Sequence, residues 1–149
     1  MKKCIGLFGT CGNSEWRSPF LTSYMREGIP YFNPQVDEWD PSLAAIEAEH
    51  LSEDRIITFC VTSETYGFGS LAEVGFCVAQ AKQDTDRQFI IYIDGDLDLH
   101  LTDAFGRGES TRARKLVREH LSQMDLPNLF VVESLEEASA LSLALWVTA

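Results

Sequence analysis

Positive charge is scarce in this chain. Twelve lysines and arginines stand against 23 aspartates and glutamates, giving a formal net charge of -11 and a pI near 4.6. A field of that sign repels nucleic acid and anionic membrane, so neither a polymeric nucleic-acid partner nor a membrane partner is expected. Long apolar runs are also missing: after Met1, Lys2 and Lys3 the first one is broken by Gly6, Gly9 and Gly12, too soon for a signal core or a spanning helix. A cytoplasmic location is the expectation. The four cysteines, Cys4, Cys11, Cys60 and Cys77, include no Cys-x-x-Cys pair, so no metal site is expected. Cys4, Cys60 and Cys77 lie inside apolar runs and read as small buried hydrophobes, while Cys11 falls in a loop. His50, His100 and His120 are isolated from any Ser or Cys at triad spacing and receive no role. No Walker loop occurs and no dinucleotide fingerprint follows the first apolar run, so no cofactor is expected.

What is present is an alternation. Short, often β-branched runs at Cys4 to Phe8, Ile29 to Phe32, Arg55 to Val61, Phe89 to Ile93 and Leu129 to Val132 read as buried strands. Between them, Ser18 to Arg26, Pro41 to Ser52, Ser70 to Lys82, Ser110 to Met124 and Leu135 to Leu145 carry helical periodicity. Asp40 before Pro41 reads as an N-cap, and Ser134 with Glu137 as a capping box. Five strands alternating with five helices imply right-handed crossovers. The expected architecture is an α/β, flavodoxin-like three-layer sandwich around a five-stranded parallel sheet of order 2-1-3-4-5, as one domain over residues 1–149.

In that order a ligand crevice opens at the carboxyl ends of strands one and three. Three loops line it: Gly9 to Arg17, Asn33 to Asp40, and Thr62 to Ser70, with the stretch from Asp94 to Glu109 able to close over them. Glu73 just beyond the third loop has two readings. Ser70-x-x-Glu73 is the pattern of a capping box, in which the carboxylate is tied to its own helix start. At the mouth of the crevice the same carboxylate could instead attack an anomeric carbon, its ionised form favoured by the helix N-terminus. The cluster Arg107, Arg112, Arg114, Lys115 and Arg118 reads either as a seat for a small anion or as a solvated helix face. Trp16 and Trp39 either stack on a base or pack between helix and sheet. Asp94-Gly95-Asp96-Leu97-Asp98 is read as an acidic turn and not a calcium loop, since Leu99 and Phe105 stand where that loop needs Gly and Glu. The apolar Leu143 to Val147 reads either as part of the last core helix, the preferred reading, or as part of an interface between copies.

Taken in order, Gly9-Thr10, Trp16-Arg17, Phe32-Asn33-Pro34-Gln35 with Trp39, and Gly67-x-Gly-Ser-x-x-Glu73-x-Gly75 resemble the nucleoside 2-deoxyribosyltransferase-like family. The resemblance implies that Glu73 is a nucleophile forming a covalent glycosyl intermediate, and that Asn33, Gln35 and Glu47 contact the nucleobase. It also implies that Gly9, Thr10, Trp16 and Arg17 accommodate the nucleoside from the first loop, with Trp39, Gly67, Gly69 and Ser70 completing the pocket. The family's aspartate a few residues before the nucleophile is absent here, and only Glu64 is available to substitute for it. The implied activity is cleavage of a nucleoside N-glycosidic bond, with transfer to another base or to water. A nucleoside monophosphate or NAD N-glycosidase, and a non-catalytic nucleotide-binding module, stand as alternatives. A homodimer or higher homo-oligomer is implied by the same resemblance.

Overall fold

In a computed structural model, which describes residues 2–148, the apolar runs pair into one parallel sheet of order β2-β1-β3-β4-β5. The strands are β1 (Lys2–Gly9), β2 (Tyr31–Phe32), β3 (Asp54–Val61), β4 (Gln88–Ile93) and β5 (Leu129–Val132). The intervening helices are α1 (Ser18–Glu27), α2 (Leu43–Glu53), α3 (Phe68–Gln83), α4 (Ala104–Ser122) and α5 (Leu135–Thr148). The flavodoxin-like topology is the one expected from the alternation.

Because side chains alternate along each strand, the sheet supports two cores. Phe8, Ile57, Phe59, Phe89 and Ile91 pack with Leu71, Val74, Cys77 and Ala81 of α3 and Leu121 of α4 on one face. Ile5, Leu7, Ile56, Cys60 and Ile90 pack with Phe20 and Tyr24 of α1 and Ala138 of α5 on the other. The central strands are buried on both sides, the usual state of parallel sheets. Tyr24 and Ser142 join α1 to α5 through a hydroxyl pair at 2.6 Å. Leu143, Leu145 and Trp146 pack partly against that second core, as read from the sequence, while Val147 of the same segment is exposed.

Where element ends depart from expectation, local chemistry explains the difference. Strand β2 starts at Tyr31 and not Ile29, because Gly28 turns left-handed at φ 67° and the Ile29 amide donates back to Tyr24 to close α1. Helix α2 starts at Leu43, since the Asp40 side chain accepts from the Ser42 amide and spends Asp40 and Pro41 on a turn. Helix α4 starts six residues before Ser110, capped by Asp103, whose carboxylate accepts from the Gly106 amide at 2.6 Å. Gly106 and Gly108 mask that start in the sequence, being poor helix formers. At α5 half of the capping box forms: Ser134 Oγ accepts from the Glu137 amide, while the Glu137 carboxylate accepts from the amide of Glu133, one residue before the cap.

The basic cluster divides: Arg112 and Lys115 are exposed on the solvated face, while Arg107, Arg114 and Arg118 are turned onto loop carbonyls. The Arg114 side chain is fully buried and its guanidinium donates to the carbonyls of Asp94, Thr62 and Thr65 at 2.8 to 2.9 Å. Arg107 donates to the Asp98 and Leu101 carbonyls, and Arg118 to Ile93 and to Glu133. These side chains tie down the loops after β3 and β4, where carbonyls that leave the sheet need donors. The loop after β4 is accordingly short and docked: the Asp98 amide bonds to Ser63, and Leu97 is buried. The Asp96 amide bonds to Asp94 Oδ1, the acidic turn that was expected.

Candidate active site

Chain direction reverses between β1 and β3, since β1 leads outward to β2 and β3 leads to β4 on the other side. The loops after β1, β2 and β3 therefore diverge at the carboxyl edge and leave a hollow between them. It encloses about 570 Å³ and is lined by Gly9 to Gly12 from the first loop, by Pro34, Val36, Asp37 and Trp39 from the second, by Thr65 and Gly67 to Ser70 from the third, and by Glu47 and Glu73. That volume lies within the range of small-molecule sites, about 300–1,000 Å³. A second, more apolar hollow of about 350 Å³ continues between α2 and α3 and shares Trp39, Glu47 and Glu73 with the first.

The walls are fixed by backbone chemistry. Gly9 has φ 116°, and a Cβ there would stand 1.9 Å from the Cys60 carbonyl oxygen, so only glycine lets β1 leave the sheet so close to β3. Thr10 then stitches the two strand ends: its amide donates to Cys60 O and its hydroxyl accepts from the Thr62 amide, both at 2.9 Å. Gly67 starts α3 in the left-handed region at φ 69°, where a Cβ would meet Val61 at 2.9 Å.

Helix α3 begins at Phe68, so Ser70 is its third residue and Glu73 its sixth. The capping-box reading of Ser70 and Glu73 is thereby corrected: Gly67 is the N-cap, and no side-chain cap is made. Glu73 sits a turn too deep to reach the leading amides. Its carboxylate opens onto both hollows. Glu73 is exposed to the hollows, and partial desolvation by the surrounding protein and, second, the charge of Glu47 shift its carboxyl upward from the ordinary value. This direction corrects the expectation that the helix start would favour the ionised form, because dipole effects fade within the first turn while desolvation does not.

Glu47 is held by Trp39, whose indole donates to its Oε1 at 2.9 Å. Trp39 is 58% exposed, so of the two tryptophans it is the one that offers a ring to the hollow. Trp16 is the core residue: it packs edge-on against Phe20 and donates to the Thr10 carbonyl at 2.8 Å. Arg17 is buried beside it, donating to the Leu7 and Thr10 carbonyls at 3.0 and 2.6 Å with its guanidinium 4.3 Å from the Trp16 ring. Both shape the first loop from beneath and stand outside the lining. Asn33 accepts from the Gln35 amide, and Gln35 donates to the carbonyls of Gly12 and Ser14, joining the second loop to the first. Gln35 faces a separate polar recess of about 590 Å³ shared with Asn13, Ser14 and Asp37. Glu64 points neither to solvent nor across the hollow: one carboxylate oxygen accepts from Ser14 Oγ at 2.8 Å and the other from the Thr62 hydroxyl.

Cys11, Val36, Asp37, Thr65 and Phe68 also line the hollow. The loops that carry them are legible in the sequence, but nothing in a loop's composition says which side chain turns inward. His50 departs from the isolated reading, since it stacks on Phe32 and bonds Asp54 at 2.9 Å.

Comparison with known proteins agrees with the fold. The crystal structure of the RPS4 and RRS1 TIR domain heterodimer superposes with a TM-score of 0.50 over 95% of this chain and 92% of that one, at 13% identity, a likeness of fold alone. No curated protein matches the chain. Residues 2–85, more than half of the 149, match the family model described as nucleoside 2-deoxyribosyltransferase like. The chain thus belongs to the nucleoside 2-deoxyribosyltransferase-like family.

Proposed function

We propose that this protein cleaves the N-glycosidic bond of a nucleoside, with Glu73 attacking the anomeric carbon and the sugar then passing to another nucleobase or to water. The observation that carries the proposal is a carboxylate with no cap to make, set in the wall of a hollow of nucleoside size. Attack by Glu73 forms the glycosyl ester and breaks the bond to the base. The departing base takes a proton from solvent, and a second base or a water then attacks the same carbon, giving its own proton to solvent and releasing Glu73. Desolvation makes Glu73 a stronger base than a free carboxylate, which favours its attack.

Trp39 and Phe68, both exposed at the hollow, supply flat apolar surfaces for the base, while Glu47 offers acceptors to its polar edge. Gly9, Thr10, Gly67, Gly69 and Ser70 border the sugar. Asn33, Gln35, Trp16, Arg17 and Glu64 act one step back, by holding the three loops in place. A nucleoside is favoured over a monophosphate or NAD, because the described lining carries Asp37, Glu47 and Glu73 and no lysine or arginine to meet a phosphate.

Incubating the protein with a panel of ribo- and 2-deoxyribonucleosides and their monophosphates, with and without an acceptor base, tests the reading through release of base or exchange. Turnover of nucleosides that Glu73→Ala abolishes is expected. Binding without turnover would instead favour a nucleotide-sensing module, a reading to which the engagement of Glu64 by Ser14 and Thr62 lends support.

A further inference from the structure

At the opposite, amino-terminal edge of the sheet, three side chains from three elements converge. Cys4 comes from β1, His50 from the last turn of α2, and Asp54 from the first position of β3. A thiol sulfur, an imidazole nitrogen and a carboxylate oxygen all lie within 4.8 Å of one another. The convergence has a local cause. Lys2 pairs with Asp54 and Ile5 with Ile56, so β1 carries one residue more than β3 between those points, and the irregularity falls next to Cys4. No loop separates α2 from β3, so His50 and Asp54 stand four apart across the helix end.

We propose that Cys4, His50 and Asp54 form a binding site for a divalent transition metal of the zinc class. The donor set is one that zinc takes, a sulfur, a nitrogen and an oxygen, with water as the fourth ligand. The carboxylate is fully buried, and its side-chain partner is the His50 ring, whose Nδ1 lies 2.9 and 3.0 Å from its two oxygens; Arg87 donates to the Asp54 main-chain carbonyl, and Lys2 pairs with Glu49 at the surface. A metal ion held between the ring and the carboxylate would give the buried group a fixed positive charge to face. His50 is preset, its ring stacked on Phe32 with centroids 3.8 Å apart and 4° between planes. Gly6 lets the carboxylate lie against β1, since a Cβ there would stand 2.5 Å from the Phe8 ring and 2.8 Å from Asp54 Oδ2. The imidazole, at 19% side-chain exposure, gives an ion a path inward. A metal here would clamp α2, which carries Glu47, to β1 and β3, at a place separate from the glycosyl hollow.

The test is a cobalt(II) titration of the full chain bearing Cys11→Ser, which removes the exposed thiol. A thiolate-to-cobalt charge-transfer band with tetrahedral visible bands, saturating at one ion per chain, is expected. Zinc should displace the cobalt and raise the melting temperature. The added change Cys4→Ser should abolish the charge-transfer band, and His50→Gln should weaken binding at least about tenfold. Absence of a thiolate band, or a band that Cys4→Ser leaves intact, overturns the site. Should Cys4→Ser fail to fold by circular dichroism, His50→Gln decides: undiminished cobalt affinity overturns the site, and the weakened affinity sustains it. These readouts do not depend on nucleoside turnover.

Discussion

Glu47 and Glu73 border the same two hollows, and after burial the charge of Glu47 is what raises the carboxyl of Glu73. One carboxylate thus tunes the basicity of the other from across the helix pair.

That coupling sets the acid limb of activity. Turnover requires ionised Glu73, so in the wild type it should fall as pH drops through a value above the ordinary carboxylate range near 4.5. Glu47→Gln removes a negative neighbour and should move the limb to lower pH, while lowering the maximal rate. A pH profile of kcat/KM for both proteins makes the comparison. A limb that stays in place means that the two carboxylates do not interact.

The same raised carboxyl has a consequence for stability. A folded state that holds its proton more tightly than the unfolded chain loses stability as pH rises from the unfolded value through the raised one. Above that window the cost of ionising Glu73 is fully present. Glu73→Gln should therefore melt at a higher temperature than wild type at neutral pH, and the advantage should shrink as pH falls through the raised value and be gone once pH is below the ordinary carboxylate value. Thermal melts across pH check this, and a destabilised Glu73→Gln at neutral pH would show that the carboxylate makes a stabilising contact.

Ser70 separates the two readings of the third helix start. Since Gly67 is the N-cap and Ser70 lies inside α3, Ser70→Ala should change stability by less than about 0.5 kcal/mol. A serine acting as cap would cost about 0.5–2 kcal/mol when replaced. Urea denaturation resolves the two values.

Arg114 is the opposite case, a cation whose loss strands several buried carbonyls. Arg114→Met should destabilise the chain by roughly 3 kcal/mol or more, as the carbonyls of Thr62, Thr65 and Asp94 lose their donor. Arg112, exposed on the same helix, should tolerate the same change within about 0.5 kcal/mol.

Much of the fold is legible in the sequence. The alternation of buried runs such as Ile56 to Val61 with amphipathic stretches implies both the topology and the edge where the loops diverge. Glycine pattern and order around Gly9 and Gly67 likewise mark the loops that border the hollow. What the sequence hides is the use of polar side chains by the backbone. Arg17, Arg114 and Gln35 have the appearance of ligand-binding groups, and each is taken up by main-chain carbonyls that only the folded loops expose. Ser70 and Glu73 match a capping pattern, and a left-handed Gly67 three residues earlier shifts the helix start past it. Cys4, His50 and Asp54 share no spacing motif, because a strand irregularity and a helix end bring them together.

The most direct measurement is the mass of the protein, and of the peptide carrying Glu73, after rapid quenching in acid during turnover of a nucleoside. The account predicts a gain equal to one glycosyl group, placed on Glu73 and absent from Glu73→Ala. Efficient turnover with no such adduct on Glu73, or with equal rates in Glu73→Ala, contradicts it.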